Sequence, residues 1–218
     1  MITDAAHPTS IARVLVKEGG AARKVSRVEK LAGRGVWTER IAGGRMTLSA
    51  PSFFQVNTAG AERLVSLVMD ALQPGEDDVV CDLYCGAGTI GISFAKAHPG
   101  ISVTGVEIIP DAVKNAAENA ELNGVSNAKS ICADALTAPL DGFGCVMIDP
   151  PRKGMSQGLV GRLCRIKPPH IVYVSCEPAT LARDAAALIS AGYRMADVTP
   201  VDMFPGTGAV ECVTDFVI

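Results

Sequence analysis

Little in this sequence ties it to a membrane, a metal or an oxidising compartment. No apolar run approaches the roughly 18 residues that a helical span needs. No secretory leader stands ahead of the first strand-like run, so a cytoplasmic protein without membrane contact is expected. The seven cysteines, at positions 81, 85, 132, 145, 164, 176 and 212, include no CxxC pair. An odd count without paired spacings argues against a disulfide framework or a zinc site and for a reducing compartment. Most of these cysteines are expected to be small core residues. Net charge is only −3 over 218 residues, which does not by itself mark a nucleic-acid binder. No internal repeat or low-complexity tract is present, and with 48% apolar and 20% charged residues one main globular domain is expected.

The charges are unevenly spread. From Ile11 to Met46 there are nine Lys or Arg against three Glu, and from Thr47 onward eleven basic residues against nineteen acidic ones. Such a basic arm can touch phosphates or be a solvated leader, and both readings stay open. Ile11 to Lys17 reads as a strand, with a turn at Gly19-Gly20, and segment 18–46 as a small β-rich appendage. Apolar residues at helical spacing then run from Thr58 to Leu72, ending at Pro74-Gly75. Beyond Gly75, strand-like runs at 79–84, 101–107, 128–133, 144–149 and 170–175 alternate with helical segments near 90–97, 110–123, 156–166 and 178–190. That alternation predicts an α/β fold whose parallel sheet is covered on both faces. The final runs, 193–202 and 211–218, leave no room for a crossover helix and must form an antiparallel hairpin.

The first strand of the regular region ends in CDLYCGAGTIG, where Gly86, Gly88 and Gly91 fit GxGxxG at a strand-to-helix turn. Glycines there let the backbone approach a ligand, and dehydrogenases use the same turn. The second strand ends at Glu107, placed to accept ribose hydroxyls, and Asp134 and Asp149 follow the third and fourth strands. Asp134 suits either an adenine amino group or a helix N-cap. Asp149 opens DPPRKG, whose two prolines stiffen the turn behind it. The fifth strand ends in VYVSCEPATLARD, putting Cys176 ahead of a helix that starts at Pro178. A helix N-terminus favours the thiolate, so Cys176 is the candidate nucleophile. Glu211, opening the last strand, is the candidate base that the hairpin can return to the same edge.

These motifs in order, SFFQVN, DLYCGAGTIG, DPPRKG, VSCEPATLARD and DMFP followed by VE, resemble the RNA uracil-C5 methyltransferase family from about Pro51 to Ile218. The resemblance implies a Rossmann-like S-adenosylmethionine-dependent methyltransferase fold over 51–218, with a seven-stranded, mostly parallel sheet, behind a short basic segment over 1–50. It implies cofactor contacts at Gln55, Tyr84, Gly86, Gly88, Thr89, Glu107, Asp134 and Asp149. It also implies methylation of uridine in RNA, ribosomal before transfer RNA, with Cys176 attacking carbon 6 and Glu211 removing the proton from carbon 5. No metal is implied. Many family members carry a histidine where this chain has Ala209, and several carry Asn where Thr89 stands. Family proteins commonly add an RNA-binding barrel and a central domain, some with a four-cysteine iron-sulfur cluster. No cysteine precedes Cys81 and only about 50 residues precede the match, so no cluster is expected, and the chain reads as a minimal member or a fragment. The alternatives are three. RNA cytosine-C5 methyltransferases usually show Asp-Pro-Pro-Cys where Arg152 stands here. An idle binding module is suggested by Ala209 and the short N-terminus, and a nicotinamide dehydrogenase by GxGxxG alone. Oligomeric state is open.

Overall fold

A computed structural model describes residues 10–17, 24–50, 52, 54–75 and 78–218. The expected turn at Gly19-Gly20 and the proposed boundary at Pro51 lie outside the described residues. The β-rich N-terminal part consists of two separate hairpins: β1 (Ile11–Lys17) pairs antiparallel with β2 (Lys24–Ala32), and β3 (Val36–Ile41) with β4 (Gly44–Ser49). Arg13 and Arg27 both pair with Glu29, so part of the basic arm's charge is spent within its own hairpin.

Helix α1 (Thr58–Ala71) follows, and then the main sheet. Its strands are β5 (Val79–Leu83), β6 (Ser102–Glu107), β7 (Ala128–Cys132), β8 (Cys145–Ile148), β9 (His170–Ser175), β10 (Arg194–Val201) and β11 (Glu211–Val217). Their spatial order is β10-β11-β9-β8-β5-β6-β7. The five strands from β7 to β9 in that order run parallel, and β11 is inserted antiparallel between β9 and β10. The chain order reverses between β5 and β8, and open α/β sheets bind ligands at the carboxyl ends of strands at such a switch point.

Helices α2 (Thr89–Ala97), α3 (Pro110–Leu122), α4 (Gln157–Ile166) and α5 (Pro178–Ser190) cover the faces. Alternate residues of the buried strands feed two cores. Val80, Met147 and Val172 pack with Leu64, Val68 and Phe94 on one side. Leu83, Ile148 and Tyr173 pack with Leu159, Leu163 and Leu188 on the other. Helix and strand limits agree with the expected ones to within one residue, and the closing hairpin is present. Cys81, Cys85, Cys145 and Cys212 are core residues as expected, but Cys132 is exposed because its edge strand β7 has no neighbour beyond it. Among the described residues no helix is long and apolar enough to cross a membrane.

The β3–β4 hairpin is fixed to α3 by a ladder of asparagines. Asn119 accepts from Thr47 N–H at 2.7 Å and donates to Thr47 C=O at 3.1 Å, while Asn123 does the same with Arg45 at 2.9 and 2.7 Å. Asn115 donates to Ser49 and Ser52 hydroxyls at 2.7 and 2.6 Å. Four-residue spacing stacks the three amides on one helix face, where they substitute for the missing neighbour strand of β4.

Candidate active site

The glycine turn after β5 depends on left-handed backbone. Tyr84, Gly86 and Gly88 have φ of +64°, +55° and +85°. For Tyr84 that conformation costs roughly 1–2 kcal/mol, strain of the kind that collects at functional sites. Gly91 lets α2 lie against β5: a Cβ there would stand 2.6 Å from Asp82 Oδ2. Its N–H donates to that oxygen at 3.0 Å. Thr89 begins α2, directly after the turn.

Glu107 is held at the end of β6 by two backbone donors, Gly86 N–H at 3.2 Å on Oε2 and Ile109 N–H at 2.8 Å on Oε1. Each oxygen keeps accepting capacity for a hydroxyl. Asp134 accepts from Leu136 N–H at 2.8 Å through Oδ1, so one oxygen caps a turn, not the helix N-terminus that was one of its two expected roles. Glu107, Asp134, Tyr84, Ile108 and Ser156 line a cleft of about 300 Å³. On the other side of Tyr84, Gln55, Asp82, Gly86, Thr89, Asp149 and Ile41 line a narrow cavity of about 60 Å³. Tyr84 borders both, so an acidic cleft and a tight cavity adjoin at its side chain. A larger cavity of about 490 Å³, beside His170 and Asp215, lies at the opposite end of the sheet and contains none of the expected residues. Volume alone therefore does not mark the site.

The inner cavity is rich in acids whose charge the fold disfavours. Burial, backed by the nearby Glu211 and Asp82, pushes the Asp149 carboxyl up to about 8. Burial pushes Asp82 up to about 7, against the opposing Gly91 hydrogen bond. The Asp149 side chain has no hydrogen-bond partner among the described residues, so a cation or donor placed beside it would be favoured.

Cys176 and Glu211 are neighbours at the end of the β9–β11 pair. Antiparallel pairing puts Cys212 opposite Ser175, Glu211 precedes Cys212 and Cys176 follows Ser175, and the Glu211 carboxyl acts on the Cys176 thiol. Glu211 is 3% exposed and its Oε2 has no hydrogen-bond partner among the described residues. Burial raises the Glu211 carboxyl pKa, and Arg152 opposes the rise.

The Cys176 thiol is pushed up, first by burial and then by Glu211 and Asp149, with Arg152 opposing. Burial of the sulfur and the Glu211 and Asp149 carboxyls act against the thiolate that the helix N-terminus favours. The DPPRKG loop is clamped beside it. Asp184 accepts from Met155 N–H and Tyr173 O–H, both at 2.9 Å, and Arg183 donates to Lys153 and Met155 carbonyls at 3.0 and 3.1 Å. Arg152 lies 3.6 Å from Glu177, its carbonyl accepting from Thr180 at 3.2 Å.

All the expected residues border the carboxyl edge of the sheet, in three neighbouring groups: Glu107 with Asp134, Gln55 with Thr89 and Asp149, and Cys176 with Glu211. Ala209 lies in the loop before β11, its N–H on Thr207 Oγ1 at 3.2 Å. Three contributors went unread in the sequence. Asp82 had a signal, a lone charge inside the apolar strand VVCDL. Asn119, which also braces the glycine turn through Ala87 C=O at 3.0 Å, had one in the asparagine spacing. Ile41 had none.

Comparison with known proteins agrees with this architecture. A family described as a methyltransferase domain matches residues 74–189, a little over half of the chain. Proteins described as uncharacterised RNA methyltransferases from Streptococcus pyogenes and Thermosynechococcus vestitus are each 42% identical, over 189 and 187 residues. Both matches cover 84% of this chain, and 40% and 41% of the relatives. The chain thus spans about two fifths of the length of these curated relatives. The structure of Pyrococcus abyssi tRNA (uracil-54, C5)-methyltransferase, in complex with S-adenosyl-L-homocysteine, is 34% identical with a TM-score of 0.80. That match covers 96% of this chain and 51% of the other. Trm5b from the same organism, at 18% identity and a TM-score of 0.69 over 97% of this chain and 64% of the other, shares the fold.

Proposed function

The chain belongs to the methyltransferase-domain family, and from that premise we propose that it methylates carbon 5 of uridine in RNA with S-adenosylmethionine as the methyl donor. The observation that supports this reading is that Cys176 and Glu211 flank the Ser175–Cys212 pair at the sheet edge where Asp149 and the glycine turn line a cavity. The family's usual cofactor suits the cleft: a carboxylate with free accepting capacity at Glu107, a stacking ring at Tyr84, and an unpartnered acid at Asp149. S-adenosylmethionine, when bound, supplies a methyl group on a positively charged sulfur. Glu107 and Asp134 would hold the adenosine part; Gln55, Thr89 and the Gly86 and Gly88 backbone would hold the amino-acid part.

Carbon 5 of uracil is a weak nucleophile until a thiolate adds to carbon 6. In this reading Cys176 Sγ forms that bond, and the displaced electron pair moves onto the ring as an enolate. Carbon 5 then takes the methyl group, and Glu211 removes its proton. The returning electrons break the bond between sulfur and carbon 6 and release Cys176. Before substrate arrives Cys176 is held largely as the thiol, since burial and the neighbouring Glu211 and Asp149 carboxyls disfavour a negative charge on its sulfur. Asp149 would hold the donor, whose positive charge when bound would favour the Cys176 thiolate. The resemblance to a transfer RNA enzyme puts transfer RNA beside ribosomal RNA as the substrate class.

The test uses RNA containing 5-fluorouridine, ribosomal and transfer, with S-adenosylmethionine. Fluorine cannot leave as a proton does, so the base stays bonded to the protein. A protein-RNA band on a denaturing gel, absent in Cys176→Ala, is the expected result. Undiminished 5-methyluridine formation by Cys176→Ala would overturn the covalent route.

A further inference from the structure

Trp37 is the only tryptophan of the chain and is 39% exposed, on a strand whose far end, Ile41, is fully buried. It lines an open cleft of about 480 Å³ with Glu39, Ser52, Phe54, Gln55 and Val56. Val56 is itself 81% exposed. Two of these residues, Phe54 and Gln55, also line the inner cavity, so the two spaces adjoin. Period-two alternation puts Trp37, Glu39 and Ile41 on one face of β3. Ile41 ends that row inside the cofactor cavity. Four residues of strand separate Trp37 from Ile41 by roughly 13 Å. A group on Trp37 is therefore too far away to be the base that reacts, and belongs to a neighbouring nucleotide.

The asparagine ladder holds β4, and with it β3, against α3, and Lys96 Nζ donates to Gly43 C=O at 2.8 Å in the hairpin turn. Trp37 therefore stands at a set position relative to the cofactor. The hairpin's outward face carries Arg40 directly opposite Arg45, both exposed and without an acidic partner among the described residues. Like charges facing each other destabilise a strand pair unless an anion lies over them.

Resting on the RNA reading above, we propose that Trp37 and Phe54 form a stacking platform for an unpaired base next to the methylated nucleotide. Glu39 would accept a hydrogen bond from that base's amino or imino group. Aromatic faces bind single-stranded bases with little sequence preference. An acid in the cleft and arginines outside it orient the base inward and the phosphates outward. Pockets of 300–1,000 Å³ suit small-molecule-sized groups, so this one accommodates a nucleoside but no helix.

Because Trp37 is the sole tryptophan, its fluorescence reports the platform directly. The probe is a single-stranded RNA of mixed sequence, twelve nucleotides long, titrated into the whole chain with S-adenosylhomocysteine present. The expected result is quenching, with Trp37→Ala binding the RNA roughly 5- to 100-fold more weakly by filter retention, from the usual loss of one stacked base. Trp37→Phe should retain most of the affinity, and S-adenosylhomocysteine binding should stay unchanged in both variants, which separates lost stacking from lost folding. RNA bound equally by wild type and Trp37→Ala without quenching would overturn the platform, leave the RNA reading intact and turn the cleft over to a protein segment. No RNA binding by a chain that binds S-adenosylhomocysteine would overturn both.

Discussion

Replacing Asp149 with Asn tests whether the fold holds this carboxyl uncharged. Its pKa is pushed up to about 8, chiefly by burial, with Glu211 and Asp82 adding to the shift. In the unfolded chain the same group titrates near 3.9. The folded state therefore binds more protons between these two values, and stability present at low pH is lost as pH rises toward 8. The slope is at most about 1.4 kcal/mol per pH unit, so from pH 5 to pH 7 the loss attributable to Asp149 approaches about 2.7 kcal/mol. Water entering the cleft reduces this to about 1–2.5 kcal/mol. Asn has the shape and hydrogen-bonding character of the protonated acid but no titration. The melting temperature of Asp149→Asn relative to wild type should therefore rise between pH 5 and pH 7, by about 2–10 °C at the 2–4 °C per kcal/mol usual for this size. Differential scanning calorimetry at both values, at equal ionic strength, reads the difference. A second arm uses the ligands. Preference for S-adenosylmethionine over uncharged S-adenosylhomocysteine should grow in wild type as pH rises toward 8, and stay flat in Asp149→Asn. A difference in melting temperature that does not change with pH would refute the reasoning, because it would mean that Asp149 is charged in the folded state throughout.

Other perturbations read other parts of the site. Arg152 lowers the thiol pKa of Cys176, so Arg152→Gln should slow alkylation of the Cys176 peptide by iodoacetamide at pH 8 about 1.5- to 5-fold, the range of an exposed charge pair. The difference should shrink in 1 M salt, and peptide mass spectrometry separates Cys176 from the exposed Cys132. Equal rates at low salt would remove Arg152 from the nucleophile's environment. Asn119→Ala leaves Thr47 N–H and Ala87 C=O without their side-chain partner, so a loss of about 1–3 kcal/mol is expected in denaturant unfolding. Faster hydrogen exchange at Thr47 should accompany it, whereas unchanged exchange there would show that the hairpin is held by its other contacts.

Local chemistry made the catalytic half legible from residues alone. The alternation of buried strands with helices, the left-handed glycine turn and the prolines after Asp149 and Glu177 each act within a few positions, so their spacing specifies strands 79–83, 145–148 and 170–175 almost to the residue. Motif order likewise placed Glu107, Asp149 and Cys176 at or after the carboxyl ends of parallel strands and Glu211 at the start of the antiparallel one, which brings all four to one edge. Tertiary structure decided what those groups are electrostatically and what they face. The register that brings Glu211 near Cys176 comes from β11 entering between β9 and β10, and hydropathy does not specify that choice of neighbour. The rise of the thiol and of Asp149 comes from burial and from carboxyl groups on other elements, which a local rule about helix N-termini does not include. The asparagine ladder, the pairing of Arg13 and Arg27 with Glu29, and the aromatic cleft at Trp37 likewise depend on which distant surfaces meet. A sequence written in one dimension carries periodicity and turns, whereas a pKa or a cleft is a sum over neighbours that only the folded chain assembles.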